Sequence, residues 1–235
     1  MPVRRFDGID DYIRCSIGTA ASGAITMAAL IRPVGANSLK TIMGMHNSGG
    51  AGAGYTMGTD GSNLIGSYNG SAFGSAAAKL DTYEGKWVLV ALNKASGSAK
   101  WGIHVWDAAA KSWVHEESAG TYANAGSVTS GTQRFGAYEA EEYFSGDIAA
   151  WAVWNSKRTT EQIEAMATAA DTKFGWKALS PATLITFEQA SVEETLVDLT
   201  GNGANQSARN GTEVIFEEPP IPYVRRSLTL LGAGR

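Results

Sequence analysis

The sequence has a single cysteine, Cys15, so no disulfide bond can form within the chain. Charged residues amount to only 18%, and the formal net charge of −4 lacks the basic excess typical of nucleic-acid binding. No apolar run approaches the roughly 20 residues that a membrane-spanning helix needs. Residues 1–5 lead directly into the first strand pattern and lack the apolar segment of a secretory signal. We therefore expect neither a disulfide framework nor a nucleic-acid or membrane partner.

Glycine and apolar strand patterns are abundant by contrast. Glycine accounts for 28 of the 235 residues, whereas its average share is about 7%, and this excess is typical of many tight turns. The clearest strand patterns are Lys86–Asn93, Lys100–Trp106 and Trp113–Glu117, separated by turn residues. They predict a three-stranded antiparallel meander. A chain of this length can bury one sizeable sandwich core.

The pattern of the segment Tyr143–Trp154 indicates a strand that is apolar on both faces. Strict alternation places two sets of side chains on opposite faces: Ile148, Ala150, Ala152 and Trp154, against Ala149, Trp151 and Val153. A strand that is apolar on both sides is covered on both sides. The pattern therefore predicts a central strand.

The strongest helical pattern follows this strand. Thr159 and Gln162 have the spacing of a capping box, in which each side chain accepts a hydrogen bond from the other residue's backbone N–H. Apolar residues then recur at helical spacing, at Ile163, Met166, Ala167, Ala170 and Phe174, with Gly175 ending the helix. One short helix on a β-rich chain is expected to cover an open end of a sandwich.

The start of the chain predicts one strand, Ile9–Ser16, with Cys15 buried in it. The basic pair Arg4-Arg5 precedes this strand. Two arginines are too few to argue for phosphate binding, so the pair predicts a solvated terminus.

Two segments resemble signature pieces of laminin-G-like, or concanavalin-A-like, jelly-roll domains. The first is Phe144-Ser145-Gly146-Asp147-Ile148, followed by the helix containing Glu161-Gln162-Ile163. The second is Phe6-Asp7-Gly8-Ile9-Asp10-Asp11-Tyr12-Ile13, similar to a run that opens an early strand in that family. The resemblance covers most of residues 1–176. It implies an all-β fold, a two-sheet antiparallel jelly-roll sandwich with one short helix.

A third matching segment stands in a different order from the family's. Val197–Gly203 resembles a piece that precedes the Phe-Asp-Gly strand in the family, but here it follows the helix. Either the chain is circularly permuted, with Leu184–Phe216 folding back beside Phe6–Ile13, or a truncated second copy begins there. We favour permutation because a fragment of about 40 residues could not bury its own core. We therefore predict one sandwich domain, residues 1–218, and an extended C-terminal arm, residues 219–235.

Aromatic side chains are the candidates for ligand binding. Trp106 and Trp113 flank a turn, and together with Tyr68 they could stack on the rings of a glycan. The alternative for both tryptophans is that they fill the core, and the sequence leaves this open. Trp87 and Trp151 lie in apolar strands and are expected in the core.

The acidic residues suit a calcium site better than a catalytic site. Asp7, Asp10 and Asp11 carry the hard oxygen ligands that Ca²⁺ prefers, but such residues also make turns, and calcium takes about 6–8 ligands. Glu139 and Glu141 have the spacing of a carboxylate pair, but they match no acidic strand motif of glycosidases on related scaffolds. We therefore predict no catalytic residue, and no cofactor apart from calcium. The three histidines share no metal-ligand spacing and are expected to be surface or satisfied polar residues.

The composition, with arms at both ends, looks like that of bacteriophage virion proteins. This resemblance implies a non-enzymatic capsid or tail decoration subunit, located in the virion, with other virion proteins as partners and a homo-oligomeric or symmetric assembly. The predicted docking residues lie in the C-terminal arm: Pro219, Pro220, Pro222, Tyr223, Arg225, Arg226, Leu228, Leu230 and Leu231.

Two other functions compete with the virion role. A carbohydrate-binding or adhesion module would use its loops and aromatic residues to recognise host surface glycans. A glycosidase or polysaccharide lyase ranks third, because the acidic motif is missing.

Overall fold

A computed structural model of the protein describes residues 2–16, 23–35, 40–47, 54–60, 63–68, 71–107, 110–122, 131–136, 142–168, 176, 178–181, 183–186, 199–200, 206–210 and 212–216. These residues form two antiparallel β-sheets packed face to face, with one α-helix. The predicted all-β jelly-roll sandwich is confirmed. No helix within these ranges is both long and apolar enough to cross a bilayer.

The first sheet carries the candidate site. Its strands are β1 (Pro2–Asp7), β3 (Ile25–Pro33), β8 (Val88–Lys94), β9 (Trp101–Asp107), β10 (Ser112–Glu117), β12 (Ser145–Trp154), β13 (Thr183–Thr186) and β15 (Glu213–Phe216). They are ordered β10-β9-β8-β3-β12-β1-β15, and β13 also pairs with β12. The predicted meander is therefore confirmed as β8–β9–β10, and the predicted central strand as β12.

The second sheet closes the sandwich. Its strands are β2 (Tyr12–Ser16), β4 (Lys40–Asn47), β5 (Gly54–Asp60), β6 (Asn63–Tyr68), β7 (Ser71–Lys79), β11 (Gly131–Phe135) and β14 (Gln206–Asn210), in the order β14-β2-β11-β4-β5-β6-β7. A 3₁₀ turn, Leu80–Tyr83, leads from this sheet back to the first. The helix α1 (Thr160–Thr168) follows β12.

The end of the chain folds back beside its start. β15 pairs antiparallel with β1, and β14 pairs antiparallel with β2. Both late strands thus complete the same sandwich, as the permuted arrangement predicts, rather than opening a second copy. Residues 219–235 lie outside the described ranges, so the C-terminal arm stays a prediction.

Side chains between the two sheets form the inner core. It includes Cys15, Tyr55, Trp101, Phe135 and Trp151, all fully buried. The rings of Phe135 and Trp151 meet edge to face with centroids 4.6 Å apart, a favourable aromatic geometry. The predicted burial of Cys15 and Trp151 is confirmed.

A second apolar cluster, the outer core, lies on the other face of the first sheet, beneath α1. The helix contributes Ile163 and Met166, which pack with Trp154 of β12 and with Trp176. The Trp176 indole donates a hydrogen bond of 3.0 Å to the carbonyl of Met166. The helix therefore covers one face of a sheet, and not an open end of the sandwich as the sequence suggested. Trp87 belongs to this cluster and is buried, as predicted.

A β-bulge changes the face assignment within β12. The register with β3 shifts between Ile148 and Ala150, so that Ile148 lies in the inner core with Trp151, while Ala150 lies in the outer core. Strict alternation had placed Ile148 and Ala150 on one face. An extra residue in one strand breaks the period of two, which an alternation pattern alone does not reveal.

The N-terminal prediction also needs correction. Two strands, β1 and β2, replace the single strand expected over Ile9–Ser16, and Ile9 is 73% exposed in the loop between them. Arg4 is fully buried in β1. The next residue, Arg5, donates from Nε to Asp147 Oδ1 over 3.0 Å. The basic pair is therefore part of the folded domain and not a solvated terminus.

Candidate functional site

A polar cleft lies on the outer face of the first sheet, beside the N-terminus of α1. Its volume is about 630 Å³. Strands β8, β9 and β10 line one side, and the loop from β12 into the first turn of α1 lines the other. The lining residues are Asn93, Gly102, His104, His115, Glu116, Glu117, Lys157, Arg158, Thr159, Thr160 and Glu161.

Buried polar side chains hold the loop side of the cleft in place. The Thr26 hydroxyl donates to the carbonyl of Ser156 over 2.8 Å and accepts the backbone N–H of Arg158 over 2.9 Å. The Asn93 amide nitrogen donates to the carbonyl of Arg158 over 2.7 Å. Thr26 and Asn93 are at most 2% exposed. The loop is therefore anchored to the strands beneath it by hydrogen bonds shielded from water.

The first turn of α1 is fixed by the predicted capping box. The Thr159 N–H donates to Gln162 Oε1 over 3.0 Å, and the Gln162 N–H donates to Thr159 Oγ1 over 3.3 Å. This reciprocal pair satisfies two backbone donors at the helix start. Arg158 adds a second anchor, because its guanidinium donates to the carbonyl of Leu179 over 2.8 Å and lies over the Trp154 ring. The loop and the helix start, which form one side of the cleft, are thus preorganised.

Two histidines face each other across β9 and β10 in the cleft. His104 is only 4% exposed, and its Nδ1 lies 2.8 Å from Nδ1 of His115. His115 is more accessible, and its Nε2 lies 3.1 Å from Oε1 of Glu164 on α1. Burial lowers the pKa of His104 to about 4, and the charge of Lys157, together with the charge that His115 carries when it is protonated, acts in the same direction. His104 is therefore neutral at physiological pH.

Two buried polar atoms next to Gly102 have no hydrogen-bond partner among the described residues. They are Oδ1 of Asn93 and Nε2 of His104. A Cβ atom at Gly102 would overlap Asn93 Oδ1 and lie 2.7 Å from His104 Nε2. Because residue 102 has no side chain, both atoms can lie against its backbone, at the inner end of the cleft.

The aromatic residues predicted to bind a ligand divide into three cases. Trp113 stacks on His115 with ring centroids 5.3 Å apart, so it borders the cleft. Trp106 is only 7% exposed and lies in the outer core, 6.4 Å from Trp113 between ring centroids. The side chain of Tyr68 lies outside what the structure describes. Of the three predicted residues, the structure places Trp113 beside the cleft.

The predicted calcium ligands come together in the loop between β1 and β2. Asp7, Asp10 and Asp11 each offer a carboxylate oxygen, and these atoms lie within 4.8 Å of one another. Some of this capacity is already used, because Asp7 Oδ1 accepts the N–H of Ile9 over 2.7 Å and Asp11 Oδ2 accepts the N–H of Asp7 over 2.8 Å. Three carboxylates are fewer than the 6–8 ligands that calcium takes. The calcium site stays a prediction.

The buried carboxylate of Asp147 is held in place by arginines. Asp147 is 1% exposed and accepts hydrogen bonds from Arg5 and Arg32. Glu139 and Glu141 lie outside the described residues. A carboxylate held between two arginines is part of the packing of the sheet rather than a proton donor to a substrate.

Sequence reasoning missed the two histidines because it took each one separately. The register of β9 and β10 pairs Trp106 with Trp113 and therefore His104 with His115. Counting outward from the intervening turn would have placed the two histidines side by side. The unpartnered atoms of Asn93 and His104 left no comparable signal in the sequence.

Comparisons with known proteins bear on the fold. No protein-family model and no curated protein matches the chain. The heptameric SAP-like pentraxin of Limulus polyphemus is similar, with 16% identity, a TM-score of 0.56 and coverage of 91% of this chain and 94% of the pentraxin. The LG1–3 region of the laminin α2 chain gives 14% identity and a TM-score of 0.51, over 67% of this chain and 32% of that one. The fold is that of a laminin-G-like jelly roll.

A third similar structure is a candidate carbohydrate-binding protein from Bacteroides ovatus. It gives 18% identity and a TM-score of 0.60, over 94% of this chain and 61% of that one. This chain thus spans about three fifths of that protein. At such low identities, all three likenesses show a shared fold.

Proposed function

We propose that the protein is a non-catalytic carbohydrate-binding domain and that the cleft between β8–β10 and α1 is its binding site. The observation that carries the proposal is an open, preorganised polar cleft with an aromatic stack at its margin. Its volume of about 630 Å³ lies within the range of small-molecule sites, about 300–1,000 Å³.

The lining suits the chemistry of a sugar. A sugar ring presents hydroxyl groups around its edge and an apolar C–H surface on its face. Carboxylates such as Glu116 and Glu117 accept hydrogen bonds from hydroxyls, and the Lys157 ammonium donates them. The rings of Trp113 and His115, stacked on each other and partly exposed, add apolar surface at the margin. The likeness to the candidate carbohydrate-binding protein of Bacteroides ovatus supports the same function.

One carboxylate of the cleft, Glu161, is suited to binding rather than to hydrolysis. A glycosidase needs a carboxyl group whose pKa is raised, so that it can protonate the leaving oxygen. Glu161 shows the opposite shift: a hydrogen bond from the Thr159 hydroxyl, and one from the backbone, lower its pKa. It therefore stays ionised and acts as an acceptor.

The virion role and virion location remain predictions from the sequence. The docking residues on which they depend, within 219–235, lie outside the described part of the chain. Carbohydrate binding does not depend on this segment.

The test is a screen of the full chain on a glycan array, followed by titration of each positive glycan. Thr160 is exposed at the cleft, and a Thr160→Trp variant places an indole there without disturbing the core. We expect it to lose binding. Lys86→Trp puts the same bulky side chain at an exposed position that does not line the cleft, and it should bind like the wild type.

Two results would contradict the proposal. If no glycan binds the wild-type chain, carbohydrate binding is wrong. If Thr160→Trp and Lys86→Trp both bind as tightly as the wild type, the sugar site lies elsewhere on the domain.

A further inference from the structure

The hydrogen bonds around the inner end of the cleft determine which chemical groups it can accept. Asn93 donates through Nδ2 to the carbonyl of Arg158 over 2.7 Å. A carbonyl only accepts, so the amide orientation is fixed and Oδ1 is the atom without a partner. Asn93 thus presents an acceptor beside Gly102.

The second atom, Nε2 of His104, is also an acceptor. Glu164 is a carboxylate, so His115 must donate to it from Nε2 over 3.1 Å. When His115 carries only this proton, its Nδ1 has a lone pair and accepts a hydrogen bond of 2.8 Å from Nδ1 of His104. A neutral His104 that carries its proton on Nδ1 has a lone pair on Nε2.

These two acceptors are buried and lack donors. Asn93 is 2% exposed and His104 is 4% exposed, and within the described ranges neither atom finds a hydrogen-bond partner. A buried polar atom without a partner costs free energy, which a donor on a ligand would recover. A ligand group that only accepts hydrogen bonds would instead face two lone pairs.

We infer that the space beside Gly102 is a subsite for a proton-donating group of the ligand, held by Asn93 Oδ1 and His104 Nε2. Either a sugar hydroxyl or the ammonium of an amino sugar has this chemistry. The inference rests on the proposed function for the identity of the ligand. It adds that the subsite accepts hydrogen bonds rather than donating them. It also makes Glu164 a positioning residue, which acts through His115 and does not line the cleft.

The first measurement needs no ligand. Nitrogen-15 chemical shifts of the imidazole rings, recorded at neutral pH on the full chain, distinguish protonated from unprotonated ring nitrogens. We expect His104 to carry its proton on Nδ1 and to be unprotonated on Nε2. The opposite assignment overturns the inference, whatever the protein binds.

The second measurement identifies the group that is bound. The probes are glucose, galactose and mannose, compared with glucosamine and galactosamine, followed at the backbone amide of Gly102 and the ring of His104. Replacing the bound hydroxyl of the best probe by fluorine or methoxy keeps an acceptor but removes the donor. We expect this change to weaken binding about tenfold, the value of one buried hydrogen bond. Unchanged affinity overturns the inference.

Variants test the subsite and its positioning residue. Gly102→Ala adds a methyl group that would overlap Asn93 Oδ1 and lie 2.7 Å from His104 Nε2, so it displaces these acceptors and should weaken the best probe about tenfold or more. Glu164→Lys replaces the acceptor for His115 by a donor, which moves the proton of His104 to Nε2 and should weaken the probe to a similar degree. Glu84→Lys is the matched control, since it makes the same charge change at an exposed position that neither lines the cleft nor contacts His115. Equal losses in the two lysine variants would show a general charge effect and overturn the role of Glu164.

The two proposals can fail separately. If a sugar shifts other cleft residues but not Gly102 or His104, glycan binding stands and the subsite is wrong. If no sugar binds, carbohydrate binding is wrong, and methylammonium, a donor without a sugar ring, then tests the subsite alone. A shift at Gly102 and His104 with methylammonium would retain the subsite, and no shift would overturn it.

Discussion

Two buried polar clusters belong to the same sheet, and they differ in how completely their hydrogen bonds are satisfied. In the arginine cluster, Asp147 accepts from Arg5 Nε over 3.0 Å and from Arg32 Nε over 2.7 Å. Arg32 also lies over the ring of Trp87, 5.5 Å from its centroid. Each oxygen of this buried carboxylate has a cationic donor, so the cluster is closed.

The histidine cluster is satisfied on one side only. Glu164, His115 and His104 form a chain of hydrogen bonds, and Asn93 is bonded to the loop. The far ends of this network, His104 Nε2 and Asn93 Oδ1, have no partner in the described structure and border the cleft. Buried polar groups are normally paired. The complete cluster therefore has a structural role, and the unpaired ends of the histidine cluster, which border the cleft, are where we place a donor group of the ligand.

The largest expected effect comes from removing the negative charge of the arginine cluster. Asp147→Asn keeps the shape of the side chain but leaves two arginines without their anion. Breaking a buried ion pair from one side is strongly destabilising, and because Arg5 is partly exposed we expect a loss of about 3 kcal/mol in the free energy of unfolding. Urea denaturation measures it.

Asp81→Asn is the matched control for this variant. Asp81 is exposed, so the same chemical change should alter stability by less than about 0.5 kcal/mol. If Asp147→Asn is no more destabilising than Asp81→Asn, the arginine cluster does not hold the sheet together. Asp147→Asn should leave glycan affinity unchanged in the folded protein, since Asp147 does not line the cleft.

The histidine cluster predicts a pH dependence of stability. The pKa of His104 is about 4 in the folded chain, against an ordinary value of 6.5. A depressed histidine pKa means that the unfolded chain takes up the proton first, so stability is fully present above about pH 6.5 and falls as the pH decreases towards 4. Between pH 7 and pH 5 we expect His104 to account for a loss of about 2 kcal/mol.

Urea denaturation at both pH values, on the wild type and on His104→Gln, isolates this contribution. Glutamine does not titrate, so the variant should lose about 2 kcal/mol less than the wild type over the same interval. Equal pH dependence in the two proteins would show that His104 titrates normally and is not buried as the structure has it.

A smaller effect is expected at the helix that borders the open cluster. Thr159→Ala removes the hydroxyl that accepts the Gln162 N–H, and loss of such a cap costs about 1 kcal/mol. Thr160→Ala is the control, because this neighbouring threonine follows the cap. If thermal unfolding shows the same stability for both variants, the capping box contributes nothing beyond helix propensity.

The regular elements were predictable because their signals are local. The meander β8–β10 follows from alternating residues and turns, and the capping box from the spacing of Thr159 and Gln162. The fold-back of the chain end onto β1 and β2 followed from one segment, Val197–Gly203, that stands out of the family's order. Each of these patterns is complete within a short stretch of sequence.

The features that depend on how the strands pair and pack were not predictable in the same way. The bulge at Ile148–Ala150 depends on the register with β3, and a single strand does not encode its own register. Arg5 and Asp147 are far apart in the chain, so their pairing appears only when β1 lies beside β12. Whether a buried atom lacks a partner, as for His104 Nε2, is a property of the whole surrounding structure.

The smallest effect concerns a third polar cluster, the aspartates between β1 and β2. Burial raises the pKa of Asp11, and the charges of Asp7 and Asp10 raise it further, against the opposing N–H of Asp7. A raised carboxyl pKa means that the ionised form costs stability at neutral pH and that this cost disappears as the pH falls. Asp11→Asn keeps an acceptor for the Asp7 N–H, so we expect a rise in Tm of about 2 °C at pH 7.

Added calcium tests whether the three aspartates bind an ion. If the three carboxylates bind Ca²⁺, the ion neutralises their repulsion and stabilises the folded state in proportion to its occupancy. Millimolar Ca²⁺ should then raise the Tm of the wild type but not that of Asp11→Asn, whereas Mg²⁺, which demands a stricter octahedral geometry, should have a smaller effect. If Ca²⁺ leaves both melting temperatures unchanged, the aspartates only shape the loop. Their role is then structural, like that of the arginine cluster, and they do not bind a ligand as we propose for the histidine cluster.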